Sequence, residues 1–292
     1  MLRDRNEPVA FVVTHEGSSM RIRTVLATLA ATAVAAVTLP MAAQAAPGNT
    51  VVFGDSLPAN PTVGDWLTAK GAPIPGGRTN DLNCGTDFLF SNAVGAANAT
   101  PVADYTCAGA SFRTGGMRII DQVNRAIETR ALDGGTREVV ILAGANDTYP
   151  YILNDRMPMP QIQANLRVAA RDAIHRVKQV APNAKVKIAG YPTISGPNGE
   201  VCLINTGGVG VPTPAVNLRE IEDRLDQGLA QAAGDAGAQF VSLKGATAGH
   251  GTCDADNWVV GVVDDNIGTY NLFVHMTNHG VQVAGDHVGR AS

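Results

Sequence analysis

The chain has 292 residues, with 45% hydrophobic residues, 5% aromatic residues and 32 glycines. This length and composition fit a loop-rich α/β protein and argue against a helical bundle or a coiled coil. The formal net charge of −4 offers no basic stripe for phosphate backbones, which argues against a nucleic-acid partner.

The N-terminal segment has the pattern of a secretory signal peptide. The basic stretch Met20–Arg23 precedes an apolar run from Val25 to Leu39, and Ala43-Gln44-Ala45 has the small residues that precede a cleavage site. We predict a signal peptide over residues 1–45, of which residues 1–19 are an over-extended start. A membrane anchor is the alternative, but the apolar run is short and is followed by Pro40.

The rest of the chain, residues 46–292, shows no linker, repeat or low-complexity tract, and we predict a single domain there. No second long apolar run follows the leader, so no stable membrane span is expected in the mature protein. We expect the protein to be secreted, either extracellular or associated with the cell envelope.

The four cysteines all follow the predicted leader, at Cys84, Cys107, Cys202 and Cys253. An even number in an exported chain predicts two disulfides. Of the three pairings, Cys84–Cys107 with Cys202–Cys253 closes the shortest loops and is favoured over the other two. No CxxC-type spacing supports a zinc site, and no metal is expected.

Continuous apolar, β-branched runs recur along the chain and predict strands buried on both faces, as in a parallel sheet. The predicted strands are Thr50–Phe53, Val102–Thr106, Glu138–Leu142, Lys185–Ala189 and Gln239–Leu243.

Helical patterns lie between these strands. Gln161–Val180 and Val216–Ala236 each carry an apolar stripe, and a last helix is predicted from Val281. The alternation predicts βαβ crossovers and a doubly wound sheet. Segments 57–101 and 190–215 lack periodicity and are predicted to be long loops over the carboxyl edge of the sheet.

Chemically useful residues follow the strands, where doubly wound sheets bind ligands. Ser56 follows the first strand, Gly109 the second and Asn146 the third, and His275 precedes the last helix. Ser56 is a candidate nucleophile with His275 as its base, and the Ser56 N–H, the Gly109 N–H and the Asn146 amide are candidate oxyanion donors. The alternatives are a plain turn at Ser56 and a capping role for Asn146.

Together, Gly54-Asp55-Ser56, Gly109, Gly144-x-Asn146-Asp147 and His275 resemble the four blocks of the SGNH (GDSL) hydrolase family, in its secreted, disulfide-bonded bacterial branch. The resemblance implies a flavodoxin-like α/β/α sandwich with a central parallel sheet of about five strands. It also implies hydrolysis of carboxylic esters without a cofactor.

One block departs from the family pattern, because Leu272 stands where the family has an aspartate three residues before its histidine. Asp264, Asp265 or a backbone carbonyl are the alternatives for orienting His275. The other histidines of the mature chain are expected on the surface, in packing positions or, for His250, at the rim of a pocket.

The resulting hypothesis is a secreted serine esterase or lipase that forms an acyl-enzyme on Ser56 with His275 as general base. Its substrate would be a small-molecule, lipid or acylated carbohydrate ester. One alternative is a carbohydrate (acetyl) esterase or acyltransferase acting on cell-envelope or plant polysaccharides. An alternative of another class is a catalytically silent protein that binds the envelope or carbohydrate.

Overall fold

The computed structural model describes residues 48–114, 116–213, 218–267 and 272–292. Internal contacts divide the chain into Met1–Pro40 and Met41–Ser292, and every described residue belongs to the second unit. The predicted signal peptide over residues 1–45 lies outside the described residues, as do residues 216–217 of one predicted helix. None of the described helices is long and apolar enough to cross a membrane.

The described strands form two sheets. The strands are β1 (Thr50–Gly54), β2 (Val102–Thr106), β3 (Glu138–Leu142), β4 (Lys185–Ala189), β5 (Val201–Thr206), β6 (Val209–Thr213), β7 (Gln239–Val241) and β8 (Val263–Asp264). The larger sheet is parallel throughout and has the order β2-β1-β3-β4-β7, which is the flavodoxin-like strand order. This confirms the predicted fold class.

The parallel strands form where the sequence is apolar on both faces. All five residues of β1 and of β3 are buried, and Phe53 is paired in register with Tyr105 on one side and Ile141 on the other. The predicted strands agree with the observed ones, except that β1 extends to Gly54 and β7 ends at Val241. Strand β1 is an inner strand of the sheet, between β2 and β3, and Ser56 follows it at the carboxyl edge.

Helices cover both faces of this sheet. They are α1 (Ser56–Ala59), α2 (Val63–Ala69), α3 (Leu89–Asn98), α4 (Ile119–Glu128), α5 (Tyr149–Leu153), α6 (Met159–Val180), α7 (Leu218–Ala236) and α8 (Asn278–Arg290). Right-handed crossovers put α3 on one face and α4, α6 and α7 on the other, because the chain reverses direction across the sheet after β2. The contacts between helices are consistent with this arrangement of the two faces, because α3 packs on α8, and α6 packs on both α4 and α7.

The prediction of a long loop over 57–101 was wrong, because this segment contains α1, α2 and α3. Helix α3 is rich in residues with low helix propensity, and tertiary packing stabilises it. A side chain at Gly285 of α8 would place its Cβ 2.6 Å from the Phe90 carbonyl oxygen, so glycine lets the two helices approach closely. This packing is not visible in the local pattern of either segment.

The prediction of a loop over 190–215 was also wrong in part, because β5 and β6 form an antiparallel hairpin. Gly207 and Gly208 join the strands with φ of 60° and 73°, as a tight two-residue hairpin turn requires. The short strand β8 pairs with β5 and completes a three-stranded sheet. The Gly-Gly pair between β-branched residues was a usable hairpin signal in the sequence.

Two disulfides close loops near the carboxyl edge of the parallel sheet. Cys84 is bonded to Cys107 and Cys202 to Cys253, with Cα–Cα distances of 5.1 and 5.0 Å. This is the sequential pairing that the loop lengths favoured. Each bridge restricts the unfolded chain and contributes about 2–4 kcal/mol to stability.

A buried lysine fixes the last helix to the sheet. Lys187 of β4 forms an ion pair with Glu138 of β3 at 2.9 Å, and its ammonium donates to the carbonyls of Val288 and Gly289. These carbonyls belong to the last turn of α8, where a cation is favourable because helix-end carbonyls lack partners within the helix. The contact holds α8 against the sheet.

Candidate active site

The turn after β1 places Ser56 at the first position of α1. A Cβ at Gly54 would lie 2.5 Å from the Leu142 carbonyl oxygen, so only glycine fits at this end of the paired strands β1 and β3. The side-chain amide of Gln122 forms two hydrogen bonds with Gly54: it accepts from the Gly54 N–H at 3.0 Å and donates to the Gly54 carbonyl at 2.8 Å. The Asp55 N–H donates to the Leu142 carbonyl at 3.1 Å. Contacts with the Gln122 side chain and with the Leu142 carbonyl therefore fix the turn that carries Ser56.

The buried side chain of Asp55 caps α1 and joins it to a tyrosine. Its carboxylate accepts from the Leu57 N–H at 2.9 Å and from the hydroxyl of Tyr191. The Tyr191 hydroxyl in turn accepts from the Ala145 N–H at 2.9 Å. Burial raises the pKa of Asp55 to about 7 and raises the pKa of Tyr191. Tyr191 thus links the turn after β1 to the turn after β3.

The turn after β3 carries Asn146. Its amide nitrogen donates to the Ala110 carbonyl at 2.7 Å, and its amide oxygen accepts from the Tyr149 hydroxyl at 3.0 Å. Gly109, next to Ala110, has φ of 83°, a conformation that glycine adopts without strain. The carboxamide of Asn146 is therefore held between the turn after β2 and α5.

Asp147, beside Asn146, is buried and binds the loop that follows β2. Its carboxylate accepts from the N–H groups of Phe112 at 2.7 Å and Arg113 at 2.9 Å. Burial raises the pKa of Asp147 to about 6. These contacts fix the relative positions of the turns after β2 and β3.

His275 lies on a turn just before α8. The Val260 N–H donates to the His275 carbonyl at 3.0 Å, and the Val274 N–H donates to the Val260 carbonyl at 2.8 Å. Val274 has φ of 58°, which is unusual for a β-branched residue and indicates local strain beside the imidazole. Burial lowers the pKa of His275, which favours the neutral imidazole.

The imidazole Nδ1 of His275 lies 3.0 Å from the Phe273 carbonyl oxygen. The two aspartates considered for this position have other partners. The Asp264 carboxylate accepts from the Asn257 amide at 2.7 Å and the Gly261 N–H at 2.7 Å. The Asp265 carboxylate accepts from the Gly207 N–H at 2.6 Å. Of the three alternatives for orienting His275, the backbone carbonyl is therefore the group found at hydrogen-bond distance from its Nδ1.

Ser56, Asn146 and His275 line one cavity of about 370 Å³. Gly109 is not among the lining residues, although the carbonyl of the next residue, Ala110, accepts from the Asn146 amide. Most of the other lining residues are apolar or aromatic: Leu57, Ala145, Tyr149, Tyr191, Ile194, Leu218, Ile221, Leu225, Phe273 and Val274. A larger depression of about 530 Å³ lies at the amino ends of β1, β3 and β4 and has a mainly polar lining.

Both tryptophans, and the histidines other than His275, lie outside this cavity lining. His250 stacks on Trp258 with ring centroids 3.6 Å apart, and His279 meets the same indole edge-on at 5.1 Å. Trp66 lies on α2 with Lys70 over its ring. Within the described ranges, no group of three or more His, Cys, Asp or Glu side chains is placed to hold a metal ion.

The sequence reasoning missed two features of the site. Tyr191 follows β4 at the carboxyl edge, so the rule that selected Ser56 and Asn146 also applied to it. The apolar wall formed by Leu218, Ile221 and Leu225 comes from the first half of α7, whose apolar stripe predicts a helix but not a contact with the site.

The statistical model of the GDSL-like lipase/acylhydrolase family matches residues 52–283 of the chain. "Lipase 2" of Streptomyces coelicolor is 26% identical over 257 residues, which cover 80% of this chain and 84% of that protein.

Two solved structures resemble the chain over most of their length. Phospholipase A1 from Streptomyces albidoflavus superposes with a TM-score of 0.56 at 18% identity, covering 83% of this chain and 98% of that one. An extracellular lipase from Streptomyces rimosus superposes with a TM-score of 0.57 at 17% identity, covering 82% of this chain and 97% of that one. At these identities the likeness shows a shared fold.

Proposed function

The chain belongs to the GDSL-like lipase/acylhydrolase family and is a carboxylic ester hydrolase, and on this basis we propose that it is a secreted serine esterase or lipase acting through Ser56 and His275. The observation that carries the proposal is the shared cavity, whose lining includes a serine hydroxyl, a histidine imidazole and an asparagine amide. Its remaining walls are mainly apolar and suit an acyl chain.

In the proposed reaction, His275 acts with its Nδ1 proton donated to the Phe273 carbonyl. This tautomer leaves Nε2 unprotonated, so that it accepts the proton of the Ser56 hydroxyl as the oxygen attacks the ester carbon. The lowered pKa of His275 keeps the imidazole neutral and ready for this step near pH 7.

The negative charge that forms on the carbonyl oxygen needs fixed donors. We assign this role to the N–H groups of Ser56 and Gly109 and to the Asn146 amide, which the contact with the Ala110 carbonyl orients. The C–O bond then breaks, and the alcohol leaves with the proton from His275. Water attacks the acyl-enzyme with the same histidine as its base, which releases the acid and restores the Ser56 hydroxyl.

The apolar cavity favours an acyl chain of several carbons over the acetyl group of a polysaccharide. Carbohydrate ester hydrolysis and acyl transfer need the same catalytic groups, and they differ in the alcohol or acceptor. A panel of acetyl to palmitoyl esters with acetylated sugars separates these substrates. The apolar walls predict higher kcat/KM for butyryl or longer esters than for acetyl esters.

Secretion is supported by the leader pattern in the sequence and by the two disulfides, which persist in oxidising compartments. The resemblance to an extracellular lipase of Streptomyces rimosus is consistent with it. Amino-terminal sequencing of the protein recovered from culture medium tests this point, with cleavage after Ala45 as the expected result.

The decisive test replaces Ser56 and His275 singly with alanine. We expect each variant to lose about 10⁴-fold or more in kcat on p-nitrophenyl butyrate while its circular dichroism spectrum is unchanged. His175→Ala, on the exposed surface of α6, is the matched control and should keep full activity. Equal rates in wild type and both site variants would leave only a binding role for the cavity.

A further inference from the structure

Most of the large exposed apolar side chains lie on a few elements that are connected to the candidate active site. Within the described residues there are twelve of them, and three, Val63, Trp66 and Val168, lie on α2 and α6. The other nine lie on α5, on the three-stranded sheet or on the segment that leads to His275: Tyr149, Leu153, Ile204, Val209, Val211, Val262, Val263, Ile267 and Phe273. Such a concentration marks an interaction surface.

One part of this surface borders the cavity and is called the apolar rim here; it consists of Tyr149, Leu153 and Phe273. Tyr149 and Phe273 line the cavity, yet they are 51% and 61% exposed. Leu153 is 70% exposed and follows Tyr149 by four residues on α5, which places it on the same side of the helix. The mouth of the cavity therefore has exposed apolar side chains on two different elements.

The second part, called the outer row here, crosses the three-stranded sheet and consists of Ile204, Val211 and Val263. Ile204 is paired in register with Val211 on β6 and with Val263 on β8, and all three are between 44% and 53% exposed. On the inner face of this sheet, a Cβ at Gly210 would lie 2.9 Å from the Cys202 sulfur. The outer row thus belongs to the sheet face that is turned away from the disulfide.

The outer row and the apolar rim belong to one hydrogen-bonded array. On one side, the Val262 N–H donates to the Leu203 carbonyl of β5 at 2.7 Å. On the other side, Val260 pairs with the turn that carries Phe273 and His275, through bonds of 2.8 and 3.0 Å to Val274 and His275. The sheet is therefore anchored directly to the turn that forms part of the cavity mouth.

Building on the proposed esterase function, we propose that the apolar rim and the outer row dock the enzyme onto the surface of aggregated zwitterionic lipid. A protein seated on the rim would cover the cavity, whereas a lipid surface there would present acyl chains to it. The six residues are uncharged, and the chain carries a net charge of −4, so anionic lipid is disfavoured. Apolar area transferred from water into the lipid supplies the driving force.

The test uses a variant that combines Ile204→Thr, Val211→Thr and Val263→Thr, because threonine keeps the strand preference while it adds a hydroxyl. Binding to dioleoylphosphatidylcholine vesicles is measured by co-sedimentation in a Ser56→Ala background, where no lipid is hydrolysed. We expect binding to weaken about tenfold relative to Ser56→Ala alone. Val168→Thr, which alters a valine 48% exposed on α6, should leave binding unchanged.

Hydrolysis of monomeric p-nitrophenyl butyrate separates this inference from the proposed function. The triple variant with Ser56 intact should match wild type on this ester and lose activity only on the vesicles. Absence of ester hydrolysis by wild type would contradict the proposed function, while vesicle binding by the Ser56→Ala protein would still support the docking surface.

Three outcomes would overturn the docking inference. One is equal vesicle binding with and without the three threonines. Another is binding restricted to vesicles that contain phosphatidylglycerol. A third is a wild-type dimer, detected by light scattering, that the triple variant loses, since a second copy of the chain would then cover this face.

Discussion

Tyr191 joins the two turns that hold the candidate nucleophile and the candidate oxyanion donor. Its buried hydroxyl donates to Asp55, next to Ser56, and accepts from the N–H of Ala145, next to Asn146. It contributes no group to the proposed chemical steps. Its role is to fix the distance between two residues that are 90 positions apart in the sequence.

Tyr191→Phe removes this hydroxyl and keeps the ring. We expect kcat to fall by about 10–10²-fold, because small displacements of reacting groups are costly, while KM changes little. Tyr151→Phe is the matched control, since it removes a hydroxyl that donates to Thr114 at 2.9 Å and does not border the cavity. Equal losses of kcat in the two variants would indicate a general loss of stability and not a positioning role.

The environment of His275 sets the pH range of the proposed reaction. Its base form is the neutral imidazole, and burial lowers its pKa below the ordinary histidine value of about 6.5. Activity should therefore decline only when the pH falls below that value. The acidic limb of the kcat/KM profile on p-nitrophenyl butyrate measures this, and a midpoint above pH 7 would contradict the assignment.

At the scale of elements, the site depends on the parallel pairing of β1 with β3. All residues of both strands are buried, and Gly54 at the end of β1 is paired in register with Leu142 at the end of β3. Helix α1 starts two residues later and depends on the same geometry. The close approach of the two backbones at Gly54 therefore sets the position of Ser56.

Gly54→Ala should destabilise the protein by about 1–3 kcal/mol or more, because its Cβ would lie 2.5 Å from the Leu142 carbonyl oxygen and 2.4 Å from the Pro58 ring. Gly234→Ala is the control for which a change of opposite sign is expected, because this exposed glycine of α7 has nothing within 4 Å of the added Cβ. We expect Gly234→Ala to stabilise by about 0.5–1 kcal/mol. Urea unfolding of both variants provides the measurement, and the same sign for both would refute the argument.

For the molecule as a whole, buried carboxyl groups control how stability responds to pH. Burial raises the pKa of Asp55 to about 7 and the pKa values of Asp87, Asp147 and Asp226 to about 6. Between pH 4 and 7 the folded protein therefore holds protons that the unfolded chain has already released. The lowered pKa of His275 acts in the opposite direction. The aspartates that are ion-paired with arginines also act in the opposite direction, but their lowered pKa values affect stability mainly below about pH 4: Asp65, Asp121, Asp235 and Asp286.

The free energy of unfolding should therefore fall as the pH rises from about 4 to about 7, because the folded state binds more protons over this range. Asp87→Asn should make this fall shallower, since an amide does not titrate, whereas Asp155→Asn, at an exposed position, should leave the slope unchanged. Urea unfolding at pH 4.5 and 7.5 measures the effect. Greater stability at pH 7.5 than at pH 4.5 would contradict the claim that the buried carboxyl groups dominate the pH dependence of stability.

Elements with strong local patterns were predictable from the order of their amino acids alone. The parallel strands were predictable because strands buried on both faces leave continuous apolar runs, and α6 was predictable from its long apolar stripe. The places of Ser56, Asn146 and His275 followed from the positions where those elements end or begin. The sequence motifs that resemble the SGNH (GDSL) hydrolase family contain the same three residues.

The remaining features could not be predicted in this way, because each depends on contacts between residues distant in the chain. Helix α3 forms against α8, although its own residues favour helix weakly. The Phe273 carbonyl faces His275 because pairing with Val260 shapes that turn, and sequence spacing does not encode such pairing. Local patterns record which side chains are buried, whereas the partner of each buried group is fixed only when the chain has folded.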